Sequence, residues 1–212
     1  MGGCLESAAT SGAICITTGC FRPFGAGVAF LPLRCYNSAP KPGVRLEYLI
    51  QSFARGISMI AIRQAVFPDD LIKVVEIFRE YIESASVNLD FQDYEAEFSE
   101  LPGYYALPDG RLFLACQDDV VLGCAALRRV DKSTCEMKRV YVRPAARGKN
   151  VGRKLVETIL GEAKCAGYTR ICLDVLPEFT VAQKLYKSLG FEAAGPVSFN
   201  PVPGTKFLAL SL

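Results

Sequence analysis

Residues 142–156 read VRPAARGKNVGRKLV, five cationic side chains and two glycines between a strand-like run and a helix-like one. Before it, STCEMKRVYV is rich in β-formers and stops at Pro144. After it, Val151, Leu155, Ile159 and Ala163 recur at helical spacing, and Gly167 closes the pattern. A helix that starts near Asn150 leaves its first N–H groups without intrahelical partners, and such an end attracts anions. Gly148 and Gly152 permit close backbone approach, while Arg147, Lys149 and Arg153 add full charges around the same point. The stretch is a cradle suited to a diphosphate. It is neither a nucleotide P-loop, which needs GK[ST] after a longer glycine loop, nor a dinucleotide turn, which needs GxGxxG.

Working outward, MIAIRQAV alternates and predicts a first strand. PDDLIKVVEIFREYIES opens on Pro68 and two acids at a helix N-terminus, with Leu71, Val75, Phe78 and Ile82 on one face. DFQDYEAEFSELPG predicts a short acidic helix that Pro102 and Gly103 stop. RLFLACQ, VVLGCAALRRV and STCEMKRVYV have hairpin spacing and predict three antiparallel strands. Beyond the cradle helix come a strand in RICLDVL, a helix in EFTVAQKLYKSLG, and strands in FEAAG and TKFLALSL. This order predicts an α/β fold, a mixed and mostly antiparallel sheet flanked by helices.

The 212 residues carry a formal net charge of +2 and no histidine. Without histidine there is no Ser-His-Asp or Cys-His catalysis and no His-ligated metal. Nine cysteines are scattered without CxxC or metal-ligand spacing, so no metal is expected and the thiols are read as small buried hydrophobes. Met1 to Ser58 holds a charge of +3 and the remainder −1, too little basic excess for a nucleic-acid partner. No apolar run approaches the roughly 20 residues that span a bilayer. The expectation is therefore a soluble, cytoplasmic product acting without a membrane, as a monomer or homodimer. Residues 1–58, rich in Gly, Pro, Ser and Cys and poor in acids, are read as a disordered or targeting-like leader, with mitochondrial delivery if they form a presequence. The working domain is placed at residues 59–212.

Two signatures give the domain a family resemblance. Arg147 to Gly152, RGKNVG, resembles the [QR]xxGx[GA] loop of the GNAT superfamily of acyl-CoA N-acyltransferases, with Asn150 in place of the first motif glycine. Asn tolerates left-handed geometry, so the replacement is mild. KLYKSLGF, Lys184 to Phe191, preceded by Ala182, is similar to the second signature A-x-x-LY-x-x-x-GF. The order of elements over residues 59–212 matches that family as well. Phe179 departs from the pattern, standing where many members carry a cofactor-positioning asparagine.

The resemblance implies N-acetyl transfer from acetyl-CoA to a primary amine of a small molecule or amino acid, by direct attack in a ternary complex. The loop Arg147, Gly148, Lys149, Asn150, Val151, Gly152 and Arg153 would hold the coenzyme A pyrophosphate. The main chain of Val140, Tyr141 and Val142 would hold the pantetheine arm, and the Val140 N–H would stabilise the oxyanion. Glu136, four residues earlier, stands where several members place a glutamate base acting through water; a lone strand Glu beside Lys138 is equally compatible with a salt bridge. Tyr186, in the LY pair, matches the usual general acid for the thiolate. The acceptor side brings Asp90, Asp93, Glu95, Glu97 and Glu100, either an acidic mouth for a cationic amine or a solvated helix face. Tyr104, Tyr105 and Asn200 are further pocket candidates. Protein N-acetylation and non-catalytic acyl-CoA sensing are the alternative readings.

Overall fold

The structure, a computed structural model, describes residues 59–212; the leader expected over residues 1–58 lies outside the described residues. Seven strands form one sheet in the order β1-β2-β3-β4-β5-β7-β6. The strands are β1 Ile60–Gln64, β2 Arg111–Gln117, β3 Val120–Arg129, β4 Thr134–Val142, β5 Arg170–Val175, β6 Glu192–Ala193 and β7 Lys206–Ser211. All neighbours run antiparallel except β4 and β5. That one parallel pair needs a crossover, which α3, Val151–Cys165, supplies. The mixed sheet and helical layers agree with the expected fold class.

β2 and β3 are apolar on successive residues because both of their faces are covered. Leu112, Leu114 and Cys116 face α1, Leu71–Glu83, and α2, Tyr94–Ser99, where they meet Val74, Ile77, Phe78 and Phe98. Phe113, Ala115 and the inward residues of β3 and β4 face α3 and α4, Thr180–Ser188. Val151, Leu155, Ile159 and Ala163 are buried as their spacing predicts, and Gly167, at φ 87°, ends α3 in the left-handed geometry that glycine favours.

Two details at α1 differ from expectation. The buried stripe is Val74, Ile77 and Phe78, whereas Leu71 stays at the surface. Asp70 holds the N-cap position, but its side chain makes no capping hydrogen bond. Its carboxylate accepts two hydrogen bonds from Arg63, at 2.6 and 2.7 Å, and one from the Val66 N–H at 2.8 Å. The acid thus ties the end of β1 to the helix start, a contact between residues seven apart that helical periodicity does not reveal.

Candidate active site

β4 and β5 pair over only three steps, ending at Glu136 opposite Cys172. Beyond that the main chains no longer pair, leaving a gap whose first link is between side chains, Lys138 Nζ to Asp174 Oδ1 at 3.4 Å. On its other side β4 is bulged: Tyr141 pairs with Cys124 and Lys138 with Ala126, so Arg139 and Val140 stand opposite Ala125 alone. Arg139 takes φ 56° at this bulge.

The bulge and the strand alternation set which main-chain groups face the gap. The Arg143 N–H donates to Leu122 O on β3, at 2.9 Å, whereas Val142 O accepts from Arg147 Nε at 3.1 Å. Val142 therefore turns toward the gap, and alternation turns the Val140 main chain the same way. Tyr141 faces β3; its carbonyl would lie 2.7 Å from a Cβ placed on Gly123. The main-chain role expected of Tyr141 is accordingly not available from this strand edge, and its ring instead packs edge-on to Tyr81 at 6.3 Å.

Charged side chains on the sheet face below the gap are matched in pairs. Glu136 is 1 % exposed and accepts from Arg128 Nε at 2.7 Å and Ser198 Oγ at 2.9 Å, with Lys138 Nζ 3.8 Å away. Asp174 accepts from Asn200 Nδ2 at 2.6 Å. Burial works to raise the Asp174 carboxyl, but Lys138 and Asn200 outweigh it and hold it below the ordinary carboxylate range. Beside them Arg139, its side chain wholly buried, donates to both oxygens of Glu97, at 2.9 and 2.8 Å, and to Gln92 at 2.8 Å. Its guanidinium lies 5.9 Å from the Phe78 ring centre and 5.6 Å from that of Tyr81.

Tyr186 lies on α4, buried against Phe191 with ring centres 5.6 Å apart. Among the described residues its hydroxyl makes no hydrogen bond, and burial, with smaller contributions from Tyr81 and Asp174, pushes it above the usual phenol value. It therefore stays protonated at physiological pH, as a proton donor must. Cys124, Cys135 and Cys172 are buried thiols that burial pushes up to about 12, which leaves them without the thiolate that nucleophilic catalysis requires.

At the cradle, Gly148 has φ 77° with nothing within 4 Å of a Cβ placed there, and Asn150 is left-handed at φ 61°. No side chain caps α3, so its first N–H groups are left for an outside acceptor. A Cβ on Gly152 would sit 3.7 Å from Val142 Cγ2, which brings the first turn of α3 close to the end of β4. Lys149 is exposed beside this turn. Arg153 reaches sideways to Ser188 Oγ at 2.7 Å, and Arg143 turns away entirely, to Glu76, Glu80 and Val121 O. A pyrophosphate group fits the open space at Gly148 and the uncapped helix end. Two residues of this region, Ser198 and Arg128, carry no local sequence signal; they reach Glu136 from positions 62 and 8 residues away.

The acetyltransferase (GNAT) family pattern matches residues 74–191, and the chain belongs to that family. It is an acyl-CoA-dependent N-acyltransferase. Over 157 residues it is 33 % identical to an uncharacterised N-acetyltransferase of Schizosaccharomyces pombe, covering 73 % of this chain and 96 % of that protein. It is 30 % identical to the N-acetylaspartate synthetase of Danio rerio over 128 residues, 58 % of this chain and 45 % of that one. An acetyltransferase of Salmonella typhimurium solved with acetyl-CoA superposes with a TM-score of 0.53 at 24 % identity, covering 72 % of this chain and 93 % of that chain. Among the described residues no helix is long and apolar enough to cross a membrane.

Proposed function

We propose that the enzyme acetylates the primary amine of a small molecule or amino acid, by direct attack within a ternary complex, through the domain at residues 59–212. The observation that carries this reading is that β4 and β5 stop pairing past Glu136 and Cys172; the buried Tyr186 hydroxyl, without a hydrogen bond among the described residues, interacts electrostatically with Asp174 of β5. Acetyl-CoA supplies an activated thioester. Residues 147–153 hold its pyrophosphate through the uncapped α3 turn, with Lys149 adding charge. Val140 and Val142 present main-chain groups to its pantetheine arm, and the Val140 N–H donates to the carbonyl oxygen as negative charge develops there.

Glu136 accepts the proton that the amine must lose, through water, because its own oxygens are occupied by Arg128 and Ser198. Tyr186 protonates the departing sulfur. The name of the Danio rerio relative, N-acetylaspartate synthetase, supports a small acceptor here.

The test is coenzyme A thiol release by the full chain, supplied with acetyl-CoA and a panel of amines. Tyr186→Phe is expected to lower kcat about 100-fold while acetyl-CoA Kd stays within about twofold. An unchanged kcat removes Tyr186 from proton transfer, and turnover confined to lysine-containing peptides overturns the small-molecule reading.

A further inference from the structure

The acidic cluster at the expected acceptor face is neutralised in part. Glu95 is held by Arg79 at 2.7 and 2.8 Å, and Glu97 is held by Arg139. Asp90 accepts from Asn88 and Tyr94. Glu136 and Asp174 are matched by Arg128 and Lys138. Glu95 and Glu97, like Glu136 and Asp174, are thus met by cations.

Exposed rings stand beside these matched charges. Phe199, in the segment between β6 and β7, is 77 % exposed. It meets Phe91 edge-on at 6.3 Å, so rings from two separate connections come together. Tyr104, 65 % exposed, lies with its ring centre 6.0 Å from the Arg128 guanidinium, on the side of Glu136. Under Phe199 a recess of about 460 Å³ is lined by Pro196, Val197 and Phe207 together with Ser198 and Asn200. Phe207 is directly opposite Asp174 across β5 and β7, and directly opposed residues share a sheet face. Ser198 and Asn200 fasten this segment to Glu136 and Asp174. The recess is open to solvent and mostly apolar, with two polar groups leading to the carboxylates, and can take one face of a small apolar group.

We propose that Phe91, Phe199 and the recess beneath residues 196–200 receive the apolar body of the acceptor, which makes the enzyme selective for primary amines bearing an aromatic or branched apolar group over short alkylamines. The inference rests on the small-molecule reading above and narrows it. In the reaction the amine nitrogen forms a bond to the acetyl carbon and the carbon–sulfur bond breaks. Of the three protons of the ammonium, one stays on the amide, one is matched by the proton that ends on the thiol, and one is released.

The experiment measures thiol release by the full chain with ethylamine, 3-methylbutylamine and 2-phenylethylamine. We expect kcat/KM for 2-phenylethylamine to exceed that for ethylamine at least about tenfold, the scale set by apolar pockets. Phe199→Ser should raise KM for 2-phenylethylamine about tenfold and erase most of that preference, whereas Phe199→Leu should retain it. Equal use of ethylamine and 2-phenylethylamine, or a Phe199→Ser loss that is the same for both, overturns the inference and leaves the small-molecule reading standing. Turnover of peptides alone overturns that reading and the inference together.

Discussion

Arg139 and Glu97 form a two-pronged ion pair inside the protein, and Arg139 is the residue at which β4 bulges, one position before Val140. Left-handed backbone costs a non-glycine residue about 1 kcal/mol or more, and the guanidinium's contacts to Glu97, Gln92 and two rings hold it there. Arg139→Met leaves the Glu97 carboxylate buried without its cation and is expected to destabilise the fold by about 3–5 kcal/mol. The double variant Arg139→Met, Glu97→Leu should recover much of that loss. Urea unfolding of the three proteins checks this, and equal midpoints for the single and double variants would refute it.

Glu136→Gln keeps the side-chain volume and its hydrogen bond to Ser198 but removes the charge that Arg128 meets. If Glu136 takes the amine proton, kcat should fall about 100-fold or more with acetyl-CoA Kd and the thermal midpoint little changed. A purely structural Glu136 predicts instead a lower melting temperature and a kcat that falls only as the folded fraction does. Thiol-release kinetics recorded with the thermal midpoint separate the two.

Asn150 occupies left-handed backbone at the mouth of the cradle. Asn150→Gly retains that geometry and should leave acetyl-CoA Kd within about twofold. Asn150→Val places a β-branched residue where it is strained by about 1–2 kcal/mol, and should weaken acetyl-CoA about tenfold. Calorimetric titration gives both values; equal affinities would mean that the turn is not held in this shape when the ligand binds.

Stability should fall on acidification. Asp70 is held low by its Arg63 hydrogen bonds. Glu97 and Asp174, although burial pushes them up, are held low by Arg139 and by Lys138 with Asn200. Native values below the unfolded ones mean stability that is complete above about pH 5 and is lost as pH falls through the depressed native values. Urea midpoints at pH 7, 5, 4 and 3 should decline mainly below pH 5, and Asp70→Asn should shrink the decline while lowering the midpoint at pH 7. A midpoint that rises below pH 5 would contradict this account.

The strands, the order of elements, the cradle loop and the two family signatures were all legible in the chain, because each depends on residues close in sequence. Period-2 and period-3.6 apolar patterns report local geometry, and a helix N-terminus beside Gly148 and Lys149 is a local object. Even the left-handed backbone at Asn150 agreed with the residue type. Of the stripe expected on α1 only Phe78 is fully buried; Val75 and Ile82 pack at the edge of the core, Val74 and Ile77 fill it and Leu71 is exposed, since the pattern does not say how the helix is rotated against the sheet.

What only the tertiary structure decided is where charge and apolar surface meet at the acceptor side. Five acids between Asp90 and Glu100 read as one electrostatic feature, but Arg79 and Arg139 lie 16 and 42 residues from their partners Glu95 and Glu97. The partners of Glu136 come from β3 and from the segment before β7. Phe91 and Phe199 are 108 positions apart in the chain and 6.3 Å apart in the fold. Coulomb and packing energies depend on distance in space, so the proposed pyrophosphate cradle, built on one turn, can be read from the sequence, while the proposed acceptor surface, assembled from several segments, exists only once the sheet has formed.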